Sequence, residues 1–140
     1  MVNETLASCS LLKAVTVKET DSVVDVAKKI HDFQERRILV VNKKNYPVGI
    51  ISIVDINDRV VAKNKNLKTT KAKDIMSYPL HLVLDINTPA EEALKKMVVK
   101  DNYYVPVVKD FSIKGLLTHS SLMRVLNKGN GKKKQRIATR

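Results

Sequence analysis

Slid against itself by 67 residues, this 140-residue chain matches its own second half, and no other feature constrains its fold as much. VTVKETDSVVDVAKKI (15–30) lies over LVLDINTPAEEALKKM (82–97), and RILVVN (37–42) lies over YVPVVK (104–109). A loop one residue shorter then sets Gly49 on Gly115, so that GIISIVDI (49–56) is answered by GLLTHSSL (115–122). A unit of about 55 residues buries too little apolar surface to stand alone, whereas two packed together can share a core. The carboxylate is kept in only one copy: Asp55 of the first is Ser121 in the second.

Each copy reads strand, helix, strand, strand, helix. Val15 and Val17, like Leu82 and Leu84, alternate with the period of two of a strand with one buried face. Val23, Val26, Ala27, Ile30 and Phe33 predict one stripe of an amphipathic helix; Ala90, Ala93, Leu94 and Met97 predict its twin. Thr88-Pro89-Ala90-Glu91 reads as an N-cap, a proline at the first helical position and a capping-box acid, and Asp21 takes the cap position in the first copy. The runs ILVV and VPVV, each followed by a polar turn and a second run starting at Gly49 or Gly115, predict hairpins. Ile56, Val60 and Val61, and then Leu122, Val125 and Leu126, mark the apolar side of a closing helix. The fold class is α+β, with α/β-type mixed sheets in two tandem β-α-β-β-α repeats. The expected boundaries are 1–63 for the first repeat, 64–73 for a basic linker, 74–127 for the second repeat and 128–140 for a basic, disordered tail.

The formal net charge of +12 suggests a polyanion binder until it is divided along the chain. Residues 127–140 carry six positive charges and residues 62–73 carry five, neither stretch containing an acid, and the rest almost balances. The basic character therefore belongs to the linker and the tail, not to a helix face shaped for a nucleic-acid groove. No apolar run approaches the roughly 18 residues of a membrane span, so no membrane is expected as a partner. The opening MVNETLASCS lacks the basic-then-apolar order of a signal peptide, and a cytoplasmic protein is expected. The one cysteine, Cys9, aligns with Met76 and reads as a small apolar filler.

DSVVDVAKKI, RILVVN and GIISIVDI, followed by TPAEEALKKM, VPVVKD and GLLTHSSL, resemble paired CBS domains, the arrangement called a Bateman module. AKDIMSYPLHLV (72–83) looks like the family's entry to a repeat, and the resemblance covers about residues 8–127. It implies two repeats related by an approximate twofold axis, assembly into homodimers, and a stand-alone sensor that reports to an unidentified regulated protein. It also implies an adenosine-containing ligand (AMP, ADP, ATP or S-adenosylmethionine) in clefts between the repeats, with no required cofactor.

The family's motif, a glycine, then Ser or Thr, then Asp, falls on Gly49, Ser52 and Asp55, and the resemblance gives the acid the two ribose hydroxyls. Two acceptor oxygens suit a vicinal diol. Ser52 to Asp55 also reads as a capping box at the positive end of a helix dipole, and one side chain can serve both ends. In the second copy the matching residues are Gly115, Thr118 and Ser121, so only one cleft is equipped for a nucleoside. Arg36 and Arg37 stand where the family often places a phosphate-binding basic residue, and are otherwise two solvated charges; Tyr103 and Tyr104 replace them in the second copy. His119 is either a phosphate contact or simply a helix-start residue. The resemblance assigns the base to main-chain groups around His81 and Leu82, with Ile53 as an apolar wall.

An enzyme is not expected. His31, His81 and His119 are scattered without acids or cysteines at metal-ligand spacing, and phosphate-loop and nucleophile-elbow motifs are missing. Two other readings remain open: a protein-interaction module without a small ligand, and sequence-blind nucleic-acid binding by Lys132, Lys133, Lys134 and Arg136 of the tail.

Overall fold

The computed structural model describes residues 4–128, and the basic tail beyond them lies outside the described residues. The chain forms two compact units, each built around one copy of the repeat but neither continuous in sequence. Ala14–His81 together with Phe111–Ile113 form one; Leu82–Asp110 and the chain from Lys114 onward, with the segment ending at Lys13, form the other.

The first-copy unit holds a sheet in the order β1 (Thr16–Lys18), β2 (Arg37–Val41), β3 (Pro47–Ser52). β1 and β2 run parallel, Val17 opposite Val40, and α1 (Val23–Phe33) makes the crossover that parallel strands require. β3 returns antiparallel, with Ile38 opposite Ile51 and Arg37 opposite Ser52. Val17, Val23, Val26, Ile30, Ile38, Val40, Ile51, Val60, Ala72 and Ile75 form its aliphatic core. A side chain such as Ile51, with no exposed surface, contributes about 1.5–3 kcal/mol by leaving water. The helix stripe is buried as expected at Val23, Val26 and Ile30, but Phe33 is exposed: it ends α1, just before the left-handed turn at Gln34 carries the chain away.

α2 (Ile53–Ile56) starts directly from β3 and widens into a π-turn over Asn57–Val61, where the Ala62 N–H donates to the carbonyl of Asn57. Val60 is buried and Ile56 half-buried, while Val61, expected on the apolar side, faces solvent. The extra residue in a π-turn rotates later positions off the helical stripe, which accounts for that miss.

The second-copy unit holds β4 (Leu84–Asp85), β5 (Tyr104–Lys109) and β6 (Ser112–Thr118) in that order, with β4 parallel to β5. α4 (Ala90–Lys100) crosses from β4 to β5, and α5 (His119–Lys128) closes the unit. Ala90, Ala93 and Met97 of α4 meet Leu122, Val125 and Leu126 of α5 in its core.

Phe111–Ile113 join the first-copy unit, where Ile113 N–H donates to Asn45 O, and an entry segment makes the second-copy unit discontinuous. Residues 4–12 dock on the second copy: Leu6 N–H donates to Thr88 O, Ala90 N–H to Glu4 O, and Leu12 exchanges both backbone hydrogen bonds with Leu116. Residues 67–77 dock on the first in the same manner. Val23 N–H donates to Thr70 O, Ala72 N–H to Asp21 O, and Ser77 exchanges both with Ile50. The short helix α3 (Ala72–Ile75) lies within this segment. Helix starts leave backbone N–H groups without partners, and here chain from elsewhere in the sequence supplies acceptors. Two expected caps are corrected accordingly. Ser22, not Asp21, caps α1 through Asp25 N–H, while Asp21 accepts from Lys18 N–H. Thr88 does not cap α4; Pro89 holds the cap position without a side-chain bond, and Glu4 O takes the Ala90 donor.

Candidate functional site

β3 ends at Ser52, and the switch from strand to helix there fixes the motif. Ser52 Oγ accepts from Asp55 N–H at 3.1 Å, and Asp55 Oδ2 accepts from Ser52 N–H at 2.9 Å, a complete capping box. The expected cap is therefore present, and it uses one carboxylate oxygen. The other, Oδ1, lies 3.7 Å from Nε of Arg59, one turn along. Arg59 reaches further: its Nη1 donates to Ile75 O at 2.8 Å and to Met76 O at 3.3 Å. Asp55 is half-buried beside a half-exposed Arg59.

Around this carboxylate the first sheet gathers most of the expected residues. Arg37 opens β2 directly opposite Ser52, and Arg36 O accepts from Ile53 N–H at 3.0 Å. Arg36, Arg37 and Ile53 are all exposed. Ser52, Ile53, Asp55, Arg36 and Arg37 thus share one end of one sheet. His81 belongs to the same unit and is exposed, whereas Leu82, half-buried, belongs to the other unit with Thr118 and His119.

In the second copy, Thr118 Oγ1 accepts from Ser121 N–H at 3.2 Å, which repeats half of the capping box. The Ser121 side chain is buried and donates to Ser10 O, so its one hydroxyl proton is committed to the entry segment. His119 packs edge-on against the Tyr103 ring at 5.5 Å between centroids. These two positions correspond to Ile53 and Arg36 of the first copy.

Arg59 is a site residue that the sequence reading does not single out. Its signal is the Asp-x-x-x-Arg spacing, which places opposite charges on neighbouring turns; its reach to Ile75 and Met76 carries no local signal. Two open clefts, each of about 440 Å³, lie away from Asp55. One is at the opposite end of the first sheet, lined by Lys18, Glu19, Thr20, Val41, Asn42, Lys43 and Asn45. The other runs beside α4, lined by Leu82, Glu92, Lys95, Lys96, Val99 and Lys100. Among the described residues no group of three or more His, Cys, Asp and Glu could hold a metal ion, and no helix is long and apolar enough to cross a membrane.

A family model described as CBS domain matches residues 11–62 and again 72–128. An uncharacterised protein of Methanopyrus kandleri is 31% identical over 112 residues, a match covering 79% of this chain and 57% of that protein. A CBS domain-containing protein of Arabidopsis thaliana is 29% identical over 113 residues, covering 81% of this chain and 21% of that protein. The chain thus spans little more than half, or far less, of the curated relatives it matches. Among solved structures, an uncharacterised conserved protein of Pyrococcus horikoshii superposes with a TM-score of 0.64 at 23% identity, covering 89% of this chain and 92% of that one.

Proposed function

The chain belongs to the CBS-domain family, with two copies in tandem, and from that premise we propose that it is a regulatory module whose first copy binds an adenosine-containing nucleotide through Asp55. One observation carries this reading. Asp55 commits Oδ2 to the helix cap and keeps Oδ1 outside it, at a sheet end where Arg36 and Arg37 also emerge. A carboxylate oxygen at the same sheet end as two exposed arginines suits a ligand with a sugar diol at one end and phosphate at the other. In the second copy, Ser121 has spent its hydroxyl on Ser10 O and offers a diol nothing comparable.

AMP, ADP, ATP and S-adenosylmethionine are the candidates, and the bound state would pass to a regulated protein or through a second copy of this chain. Val98 and Val99, exposed on α4, support self-association. The test is a thermal-shift series of wild type and Asp55→Ala against the four ligands. At 100 times its dissociation constant a ligand adds about 2.7 kcal/mol, which raises Tm by about 5–15 °C for a chain of this size. A shift that is lost in Asp55→Ala places the ligand at the carboxylate. If no ligand shifts the wild type, Asp55 is a helix cap alone, and a protein-interaction module is the better reading.

A further inference from the structure

Asp55 and Arg59 are arranged as more than a surface ion pair. Arg59 lies within the π-turn Asn57–Val61, and its guanidinium bridges two things the backbone does not join: Oδ1 of Asp55 on one side, and the carbonyls of Ile75 and Met76 on the other. The next residue along that segment, Ser77, exchanges both backbone hydrogen bonds with Ile50 in the middle of β3, at 2.9 and 3.0 Å. The segment Ile75–Ser77 is therefore held at two points, by the sheet edge and by Arg59.

The second copy achieves the same tether by other means. Ser10 lies two residues before Leu12, whose pairing with Leu116 matches that of Ser77 with Ile50, so it stands where Ile75 does in the first copy. Its carbonyl accepts from the Ser121 hydroxyl directly. The position equivalent to Arg59 is Val125, which is buried in the core. Where the second copy joins helix to entry segment by one short hydroxyl, the first inserts a charged side chain between a carboxylate and the segment.

We propose that the Asp55–Arg59 pair is a relay: the partner held by Asp55 Oδ1 sets how firmly Arg59 holds the Ile75–Met76 carbonyls, and so how firmly Ser77 stays paired with Ile50. A group that donates to Oδ1 competes with the Arg59 Nε for that oxygen, and the guanidinium is then less firmly oriented toward the carbonyls. As a route by which a bound nucleotide is reported, the relay rests on the nucleotide reading of Asp55; as a coupling between carboxylate and segment, it does not.

The test needs no ligand. Hydrogen exchange at the Ser77 and Ile50 amides is compared with that of β2 amides in wild type, Asp55→Asn, Arg59→Ala, Arg59→Lys and the Asp55→Asn/Arg59→Ala double variant. Asparagine can still accept from Ser52 N–H but carries no charge, and lysine keeps the charge without the reach of a fork. The relay predicts exchange at Ser77 and Ile50 faster by about fivefold in Arg59→Ala and about twofold or more in Asp55→Asn, beyond any change in β2, with the double variant no faster than Arg59→Ala. Arg59→Lys should resemble Arg59→Ala. Acceleration in Arg59→Ala with none in Asp55→Asn overturns the relay, because the hold on the carbonyls is then independent of the carboxylate. Additive effects in the double variant overturn it too. A nucleotide that fails to shift the wild-type Tm counts against the nucleotide reading only, and the exchange rates still decide the relay.

Discussion

The two copies solve one mechanical problem with different chemistry. Each must fasten its last helix to an entry segment that arrives from elsewhere in the chain. The second copy uses Ser121, buried, on Ser10 O; the first uses Arg59 on Ile75 O and Met76 O, backed by Asp55. A buried, neutral hydroxyl that donates its one proton to a tether has only its lone pairs left for a ligand. A carboxylate split between a cap and a half-exposed cation keeps an oxygen that another partner can compete for. The sheets beneath this junction are built alike: Ile51 and Leu117, 66 residues apart, are both fully buried.

The largest effects should therefore be blind to which copy is cut. Ile51→Ala and Leu117→Ala are each expected to cost about 2–5 kcal/mol by leaving cavities in aliphatic cores. Urea unfolding should give values within about 1 kcal/mol of one another for the two variants. A large inequality would mean that one sheet carries the stability and the copies are not mechanically equivalent.

The next difference should appear at the paired glycines. A Cβ on Gly115 would sit 2.7 Å from the Leu12 carbonyl oxygen and 2.8 Å from Leu11 Cβ. On Gly49 it would overlap Met76 Sδ and meet its Cγ at 2.9 Å. Paired backbone cannot readily yield, whereas a methionine side chain can change rotamer. Gly115→Ala is expected to lose about 2 kcal/mol and Gly49→Ala about 1 kcal/mol, checked by the same unfolding curves.

Restoring the carboxylate to the second copy tests the comparison at its junction. In Ser121→Asp the new acid could complete a capping box with Thr118, but it removes the donor to Ser10 O and points a second acceptor at that carbonyl in a buried place. The net expectation is a loss of about 1–2 kcal/mol and no gain of nucleotide binding. A stable Ser121→Asp that binds adenine nucleotide at a second site would show that the tether is dispensable and that the lost acid alone silenced this copy.

How much of this is legible in the sequence depends on the range of the interactions. The repeat, the order of elements within each copy, the buried stripe at Val23, Val26 and Ile30, and the capping box at Ser52 and Asp55 are local patterns, and the sequence displays them. Phe33 and Val61 fit the apolar stripes yet face solvent, because a periodicity says nothing about where a helix stops or widens. The cap of α4 is hidden for a different reason: its acceptor, Glu4 O, lies more than eighty residues away in sequence. The candidate site divides along the same line. The Asp55 cap is a four-residue pattern, whereas the Arg59 contact with Ile75 and Met76 exists only because residues 67–77 fold back onto the first copy.

The entry segments supply the smallest test. Cys9, like Met76, packs against the core of the unit it enters. Burial raises the Cys9 pKa above the usual thiol range, and the Glu4 carboxylate adds to the shift. A group whose acid form is favoured by folding holds its proton longer in the native state than in the unfolded one. Stability from this source is thus fully present below the unfolded thiol pKa and is lost as pH rises through the folded one. Because the thiolate is the nucleophile, alkylation of native Cys9 at pH 8 is expected to run several-fold slower than that of the urea-unfolded chain. Glu4→Gln should speed it only slightly, since charge is the lesser cause. Equal rates in the native and unfolded chains would mean that residues 4–12 detach readily from the second copy. The hydroxyl of Ser121 would then no longer be spent on Ser10, and the contrast between the two junctions would fail at its simplest element.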